Sequence, residues 1–429
     1  MACVRSARSS GTMSRRRASA SCIRPRCNAW GGKVASFAAS GSLARLARSS
    51  AKRHAATVSA HDVSARLSAL LRSASGNVCP GGVALVWRAG ALRFHSAFGV
   101  TATHPAVPAR PVTTDTHYDL ASLTKVLATT TLAARAIADG RVKLAEPLPS
   151  PWDRVSPGAT LSDVLEHAAG FAAHREFFAG PDGARSAAAV LEQIAIESGV
   201  YPRRERSVYS DLGFIVLGAW LERLFDNTLE AAFRQWVSGP LGCVGDLGFR
   251  RVQPRPWGGA APTEVYDPLL HREPPSWFAV RASSDSRPSW AQGQVHDDNA
   301  YVMGGVAGHA GLFGTAQAVL QVALAWLEPN RLDMPPSVCQ GLLEASNVPN
   351  STRRRGWDGP SRGPRSSVGD VVAPTAFGHL GFSGTSLWLD PRPGDPRVYV
   401  LLTNRVHPTR SGHGILALRR RFHELAAQL

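Results

Sequence analysis

The sequence predicts an α+β fold whose central antiparallel sheet is built from both ends of the chain. Two strand-like runs, Gly82 to Trp87 and Ala91 to Ala97, lie near the beginning, and two more, Thr385 to Leu389 and Val398 to Thr403, lie near the end. Helical patterns dominate between them, so strand and helix do not alternate as they would in a wound parallel sheet. We therefore expect flanking helices on the sheet and an inserted helical lobe over roughly residues 126–295.

Helical spacing of apolar residues marks the segments that flank and separate these strands. Hydrophobic residues recur every three to four positions in each of them, as an amphipathic helix requires. The predicted helices are Val58 to Ser73, a helix that begins at Ser122 and ends before Gly140, Leu161 to His167, Ala187 to Ile196, Leu212 to Phe225 and Leu416 to Leu429. Asp211 directly precedes one of these helices and is predicted to be its N-cap.

Two segments interrupt this pattern with the composition of loops. Pro254 to Trp290 is rich in Pro, Trp and Ser, and Asn347 to Pro374 combines five arginines with glycines and prolines. Such compositions are typical of linkers, which we favour, or of surface loops beside a cleft.

The positive charge of the chain is concentrated at its N-terminus. Residues 1–61 hold twelve of the 48 Lys and Arg residues and none of the 32 Asp and Glu residues, so the formal charge of +16 falls to +4 (36 minus 32) for the remainder. The Ser-, Ala- and Arg-rich segment 1–56 lacks a periodic apolar pattern, and we expect it to be disordered or not native, with 57–429 as the folded domain. It lacks the interleaved aromatic residues of a base-stacking platform, so no nucleic-acid partner is expected.

Several kinds of site have no motif in this sequence. The fourteen histidines form no H-E-x-x-H motif, and no P-loop is present. The six cysteines form no CxxC pair, and no run approaches the roughly 18 apolar residues of a membrane-spanning helix. We therefore expect no metal, no cofactor and no transmembrane span.

Ser122-Leu123-Thr124-Lys125 is the motif that bears most directly on chemistry. Lys125 is one of only four lysines among the 48 basic residues, and a lysine, unlike an arginine, can lose its proton when desolvated and act as a base. Residues three apart share one face of a helix, so Lys125 is expected beside the Ser122 hydroxyl. A second S-x-x-K match, Ser49 to Lys52, lies in the Ser/Arg-rich tail without an apolar stripe, and we expect it to be accidental.

Two further motifs supply groups that a serine nucleophile needs. Tyr209-Ser210-Asp211 stands where an extended segment meets a helix, which allows the phenol to project into a cleft and exchange a proton with Lys125. His379-Leu380-Gly381 enters a predicted strand run, Phe382 to Leu389, whose backbone can donate an N–H from the opposite wall. Each residue also has a structural alternative, as a packed tyrosine, a helix cap or a core histidine.

In their order along the chain, these three motifs resemble those of the penicillin-recognising serine enzymes, the superfamily of serine β-lactamases and penicillin-binding proteins. The tyrosine in the second motif is similar to that of the class C β-lactamase-like branch. The resemblance runs from about residue 60 to the C-terminus and is strongest to a subgroup of penicillin-binding-protein-4B-like serine hydrolases, in Tyr209 to Gly218, His296 to Thr315, Phe377 to Pro391 and Leu402 to Arg410. It implies a β-lactamase/transpeptidase-like fold.

The resemblance also implies a role for each motif residue. Ser122 is expected to be acylated, and Lys125 and Tyr209 to share the general-base and general-acid work. The N–H groups of Ser122 and Phe382 are expected to form the oxyanion hole. The remaining residues are expected at the substrate-binding wall: Asp211, His379 and Gly381.

Two positions depart from the superfamily pattern. Asp211 stands where many relatives have asparagine, and a carboxylate cannot donate an amide N–H to a substrate carbonyl. Leu380 replaces the hydroxyl residue that helps to hold a substrate carboxylate. Efficient β-lactam hydrolysis is therefore not expected, while peptidase and esterase activity both remain open.

The leading interpretation is a serine acyl hydrolase that forms an acyl-enzyme on Ser122 and acts on a small molecule or a peptidoglycan peptide, as a D-alanyl-D-alanine carboxypeptidase does. A small-ester esterase or weak β-lactamase is the alternative within the same chemistry. A catalytically silent peptidoglycan-binding or sensor domain is the alternative of another class. No convincing signal peptide is found, so the compartment follows the substrate: cell envelope or periplasm for the intact wall, cytoplasm for recycling or ester hydrolysis.

Overall fold

A computed structural model of the chain describes residues 59–180, 182–253, 257–267 and 289–429. Within it, Val58–Leu429 forms one compact unit. The predicted tail 1–56 and much of the predicted loop Pro254 to Trp290 lie outside the described residues.

The described residues form ten β-strands and ten α-helices, with strands near both ends of the chain and mainly helices between them. The strands are β1 (Gly81–Arg88), β2 (Ala91–Gly99), β3 (Tyr118–Asp119), β4 (Leu247–Phe249), β5 (Val265–Tyr266), β6 (Ser289–Trp290), β7 (Leu312–Gly314), β8 (Phe377–Leu380), β9 (Ser386–Asp390) and β10 (Arg397–Thr403). The α-helices are α1 (Ala60–Ala74), α2 (Thr131–Ala138), α3 (Leu161–Leu165), α4 (Ala187–Ala195), α5 (Asp211–Phe225), α6 (Leu229–Phe233), α7 (Asp298–Val302), α8 (Ala316–Leu327), α9 (Pro336–Leu343) and α10 (Ile415–Ala426).

A five-stranded antiparallel sheet in the order β2-β1-β10-β9-β8 joins the two ends of the chain. Alternate residues of its strands face opposite sides. Val83 and Leu85 pack into the larger core, whereas Ala84 and Val86 face the core formed with α1 and α10. Burying each large apolar side chain contributes about 1.5–3 kcal/mol relative to leaving it exposed. The predicted fold class, with one sheet assembled from both chain ends, is confirmed.

A smaller three-stranded sheet fixes the segment that leads to Ser122. Strand β3 pairs with β7, which also pairs with β4. Immediately after β3, the N–H of Leu120 donates to the carbonyl of Leu312 at 2.9 Å. The approach to the S-x-x-K motif is therefore held by backbone hydrogen bonds on both sides of Asp119.

The helix predicted from Ser122 has an irregular beginning. Residues Lys125–Thr130 form a π-helix, and the regular helix α2 follows it. The Thr131 hydroxyl donates to the carbonyl of Val126, five residues earlier, at 2.9 Å, which stabilises this wider turn. Insertions of this kind are frequent at functional sites.

Two sequence predictions at other motif residues are wrong in detail. Helix α5 is capped by Ser210, whose hydroxyl accepts from the N–H of Gly213, and Asp211 is the first helical residue. The predicted strand Phe382 to Leu389 is instead a hairpin, because β8 ends at Leu380 and β9 begins at Ser386. His379 therefore lies on β8, ahead of the turn.

The segment Asn347 to Pro374 is not a linker. Trp357 and Val368 are almost completely buried. Arg354 donates to the carbonyl of Pro374 at 2.9 Å. The segment therefore packs against the folded body, and the guanidinium of Arg353 lies 5.1 Å from the centroid of the Tyr209 ring.

Within the described part of the chain, the helices lack the length and apolar character needed to cross a bilayer. The cysteines described, Cys79, Cys243 and Cys339, are free and buried. Burial raises the pKa of the Cys79 thiol to about 12 and those of the other two to about 11. These thiols are therefore protonated and unreactive at neutral pH.

We expect Gly308→Ala to destabilise the protein, because Gly308 packs directly against α5. A Cβ at this position would overlap the carbonyl oxygen of Phe214 and lie 2.9 Å from the Cα of Gly218. Overpacking of this kind costs about 1–3 kcal/mol in the free energy of unfolding, measurable by urea denaturation. Gly341→Ala in α9 is the control, because its Cβ would meet open space, and it should be neutral or stabilising by up to about 1 kcal/mol. Equal stability of the two variants would contradict the close packing of Gly308 against α5.

Candidate active site

Ser122 follows a turn that the buried carboxylate of Asp119 holds in place. The φ of Ala121 is +48°, in the left-handed region that is sparsely populated by residues with a side chain. Its N–H donates to Asp119 Oδ1 at 2.8 Å, while Asp119 Oδ2 accepts from the N–H of His296 at 2.6 Å. Asp119 therefore connects the turn before Ser122 to the segment that begins at His296.

The ammonium group of Lys125 lies directly beneath Ser122 and is completely buried. Its Nζ donates to Ser122 Oγ at 3.1 Å, to Asp211 Oδ1 at 2.8 Å and to the carbonyl of His309 at 3.2 Å. These bonds use all three donors of a lysine ammonium. The predicted contact between the serine and the lysine is present.

The charge of Lys125 is governed by Asp211. Burial lowers the pKa of Lys125, but the Asp211 carboxylate and the Tyr209 phenol raise it, and the net shift is upward. Burial likewise raises the pKa of Asp211, but Lys125 outweighs it and holds that pKa well below the ordinary range. The resting site therefore contains an ammonium and a carboxylate at neutral pH. Burial by itself therefore does not make Lys125 neutral in the resting site, because Asp211 and Tyr209 offset it.

Tyr209 stands beside this pair, half-buried between aromatic neighbours. Lys125 Nζ lies 4.8 Å from the centroid of its ring, and the guanidinium of Arg353 lies 5.1 Å from the same centroid. The rings of His167 and His379 have their centroids at 4.7 and 5.8 Å. Burial raises the pKa of Tyr209, which nearby Lys125 only partly counteracts, so the phenol is neutral at pH 7.

The β8–β9 hairpin packs beside Ser122, and its residue Phe382 lines the cleft. The hydroxyl of Thr385 donates to the carbonyl of Leu120 at 3.0 Å, and a Cβ on Gly381 would lie only 2.7 Å from that same oxygen. Glycine is therefore required for the hairpin to approach Ser122 so closely. Among the described residues, none accepts a hydrogen bond from the backbone N–H of Ser122 or of Phe382.

A cleft of about 380 Å³ opens above Ser122. Four of the predicted residues line it: Ser122, Tyr209, Asp211 and Phe382. His379 and Gly381 do not line the cleft, because His379 is buried behind Tyr209 and Gly381 is at the neck of the hairpin. Burial lowers the pKa of His379 to about 4, so at neutral pH it offers a hydrogen bond and no positive charge.

Several residues that organise the site were missed by sequence reasoning. His167 Nδ1 accepts from the N–H of Ser210 at 3.0 Å, directly after Tyr209. His309 positions Lys125 through its carbonyl while its Nε2 lies 2.8 Å from Asp297 Oδ1. These residues come from separate segments without a local motif. The segment His296 to Thr315 carried a family resemblance but no residue roles.

The fold and the serine-lysine-tyrosine arrangement agree with a comparison to known families. A profile of the β-lactamase family matches residues 67–423. The chain belongs to the β-lactamase family. The predicted superfamily is thus confirmed, and the protein is a serine hydrolase of this family.

Proteins with different named activities are similar to this chain. A candidate D-alanyl-D-alanine carboxypeptidase of Escherichia coli K12 is 27% identical over 325 residues, which cover 69% of this chain and 70% of the relative. An N-acetylmuramyl-L-alanine amidase of Bacillus subtilis is 27% identical over 363 residues, or 76% and 78% of the two chains. The solved structure of EstCE1, a hydrolase with promiscuous acyltransferase activity, has a TM-score of 0.63 at 19% identity and covers 86% of this chain and 99% of its own.

In this β-lactamase-family protein, the cleft wall formed by His296 and Arg410 is anchored by one buried carboxylate. Glu264 Oε2 lies 2.8 Å from His296 Nε2 and accepts from Arg410 Nε at 2.7 Å. Its Oε1 accepts from the N–H of Arg410 at 3.0 Å. Burial raises the pKa of Glu264, but the interactions with His296 and Arg410 lower it by more, so the net shift is downward.

We expect Glu264→Gln to lower the free energy of unfolding at pH 7 by about 2 kcal/mol, because hydrogen bonds to the charged group are weakened. A carboxyl whose pKa is lower in the folded state stabilises the protein above its unfolded pKa of about 4.3, and that stabilisation is lost as the pH falls through the folded value. The difference between wild type and variant should therefore shrink in acid. Glu344→Gln is the control, since Glu344 is 67% exposed and its bond to Arg355 is a surface ion pair. A penalty for Glu264→Gln that is independent of pH would contradict this account.

Proposed function

We propose that the protein is a D-alanyl-D-alanine carboxypeptidase-like hydrolase that cleaves cell-wall peptides through an acyl-enzyme on Ser122. The observation that carries the proposal is the fully buried Lys125, whose Nζ lies 3.1 Å from Ser122 Oγ at the floor of the cleft. Tyr209 beside it supplies a second group for proton transfer. The similarity to the E. coli protein supports the substrate class.

In the resting site, the Lys125–Tyr209 pair carries one proton more than its reactive form. Lys125 is charged and Tyr209 is neutral, so the reactive form of the Lys125–Tyr209 pair is the one that has lost a proton. As Ser122 Oγ bonds to the substrate carbonyl carbon, its proton passes into this pair. The N–H groups of Ser122 and Phe382 donate hydrogen bonds to the carbonyl oxygen as negative charge develops on it. General acid and base groups of this kind contribute about 10²- to 10⁴-fold in rate.

The same pair completes the cycle. When the amide bond breaks, the leaving amine takes the proton from Tyr209, the member of the pair that faces the cleft. A water molecule then attacks the acyl carbon and gives its proton to the pair. The Ser122 oxygen recovers a proton as the carboxylic acid product leaves, which restores the site.

A second candidate reaction is cleavage of the amide between a muramyl lactyl group and L-alanine. Asp211 favours it, because its carboxylate provides no N–H for the acylamino carbonyl that a D-alanyl donor carries beside the scissile bond. A lactyl donor has an ether oxygen at that position and loses less from the absence of this donor. The B. subtilis amidase is similar over a longer stretch than the E. coli relative, 363 against 325 residues.

A substrate pair separates these two reactions. With the leading reaction, the protein releases D-alanine from a pentapeptide that ends in D-Ala-D-Ala and leaves N-acetylmuramyl-L-alanine intact. Preferential cleavage of N-acetylmuramyl-L-alanine would replace it with the second reaction. Both activities are measured by mass spectrometry of the products, with Ser122→Ala as the blank.

Ser122 should be the residue that is acylated by a reactive penicillin or by p-nitrophenyl acetate. One added acyl mass is expected on a peptide that contains Ala121 to Lys125. Ser122→Ala should abolish this adduct, and Ser49→Ala, which alters the other S-x-x-K match, should retain it. Well-folded protein without a Ser122 adduct from either reagent would favour the silent binding domain.

Lys125→Arg should lower the rate of acylation by about 100-fold or more, although the positive charge is kept, because a guanidinium does not give up its proton. Lys143→Arg makes the same change at an exposed lysine and should behave as wild type. Tyr209→Phe removes the phenol and should also cost about 100-fold or more. Wild-type acylation rates in Lys125→Arg, measured by stopped flow on a variant with an unchanged thermal melt, would exclude the lysine as a proton acceptor.

A further inference from the structure

Asp211 binds two basic side chains at once. Its Oδ1 accepts from Lys125 Nζ at 2.8 Å, and its Oδ2 lies 3.3 Å from His174 Nδ1. Lys125 is completely buried, whereas the His174 side chain is 45% exposed and lines the cleft. The carboxylate thus connects the buried lysine to a histidine that solvent and substrate can reach.

We propose that His174 is a positioning residue for the reaction proposed above: it holds the Asp211 carboxylate against Lys125, and its protonation weakens the hold of that carboxylate on the Lys125 proton. The inference rests on the proposed function, since it concerns how the Lys125–Tyr209 pair reaches its reactive form. It assigns to the residue at position 211 a task that asparagine could not perform, because asparagine carries no charge to divide between two cations.

The charged groups that act on His174 are mainly acidic, although Arg175 follows it in the chain and Arg410 lines the same cleft. Asp211 at the start of α5 is its direct partner, Asp297 before α7 lies across the cleft, and Glu176 is on its own segment. Lys125 is the cation on the far side of Asp211. The hydrogen bond to Asp211 raises the pKa of His174, burial opposes it, and Asp297 and Glu176 raise it further. His174 therefore stays protonated to a higher pH than an ordinary histidine.

The sign of the effect follows from two cations that share one carboxylate. A charged His174 repels the Lys125 ammonium and shares the stabilisation that the Asp211 carboxylate provides. The pKa of the Lys125–Tyr209 pair is then lower, so the pair loses a proton more readily. When His174 is neutral, Lys125 receives the full stabilisation of Asp211 and keeps its proton more firmly. A charged His174 therefore extends acylation to lower pH.

The test compares the pH profiles of kcat/KM for wild type and His174→Gln, because glutamine can still donate to Asp211 but does not titrate. The variant should be slower by roughly tenfold near about pH 6, which corresponds to one pKa unit of coupling, and the loss should shrink steadily toward about pH 9, where His174 is neutral in the wild type. His61→Gln, at an exposed histidine on α1, is the control for the substitution and should follow the wild-type profile. A loss of the same size at every pH would show a merely structural role and overturn the inference.

A double-mutant cycle tests whether His174 acts through Asp211. In the Asp211→Asn background the carboxylate through which His174 acts is gone, so adding His174→Gln should change the pH profile far less than it does in the wild type. An undiminished His174→Gln effect in that background would also overturn the inference. The outcome is separable from the proposed function, because a wild-type protein without a Ser122 adduct disproves the acyl-enzyme, whereas an adduct combined with a constant rate ratio disproves only the role of His174.

Discussion

The site depends on a buried ion pair between Lys125 and Asp211. An unpaired charge at such depth costs several kcal/mol, so each partner requires the other, and removing one is far more damaging than breaking a surface pair. The fold brings the partners together from distant elements: a π-helix presents Lys125, and the first residue of α5 is Asp211. The loop at Gly308 approaches α5 closely enough for the next carbonyl, that of His309, to complete the shell of the ammonium group.

This ion pair also determines the protonation state from which the reaction starts. A lysine beside a carboxylate rests as a cation, so a proton must leave the Lys125–Tyr209 pair before Ser122 can react. Recognition in the cleft is altered as well. His379 is neutral and lies behind Tyr209, and the guanidinium of Arg410 is already bonded to Glu264. Position 211 therefore holds a carboxylate in place of an amide donor, and position 379 holds a neutral ring in place of a cation. Both differences agree with amide hydrolysis of cell-wall fragments more than with efficient turnover of β-lactams.

The fold class and the centre of the site could be predicted from the sequence because both follow from short-range patterns. Alternating apolar residues at the two chain ends predicted the central sheet, and the three-residue spacing of Ser122 and Lys125 predicted their contact. The details that failed depend on tertiary contacts. Ser210 and Asp211 are both good capping residues, and only the buried lysine determines that the second of them turns inward. Residues such as Asp119 and His167 join the site from separate segments, so no local spacing could have revealed them.

The charge of Lys125 can be measured by nuclear magnetic resonance of side-chain nitrogens. Because the chain has only four lysines, ¹⁵N-labelled lysine gives at most four Nζ signals, and Lys125→Arg assigns one of them. We expect an ammonium signal for Lys125 at neutral pH, with a titration above the ordinary lysine pKa of about 10.4 that moves to lower pH in Asp211→Asn. A neutral Lys125 amine at pH 7 in the wild type, or a titration that Asp211→Asn leaves in place, would contradict this expectation.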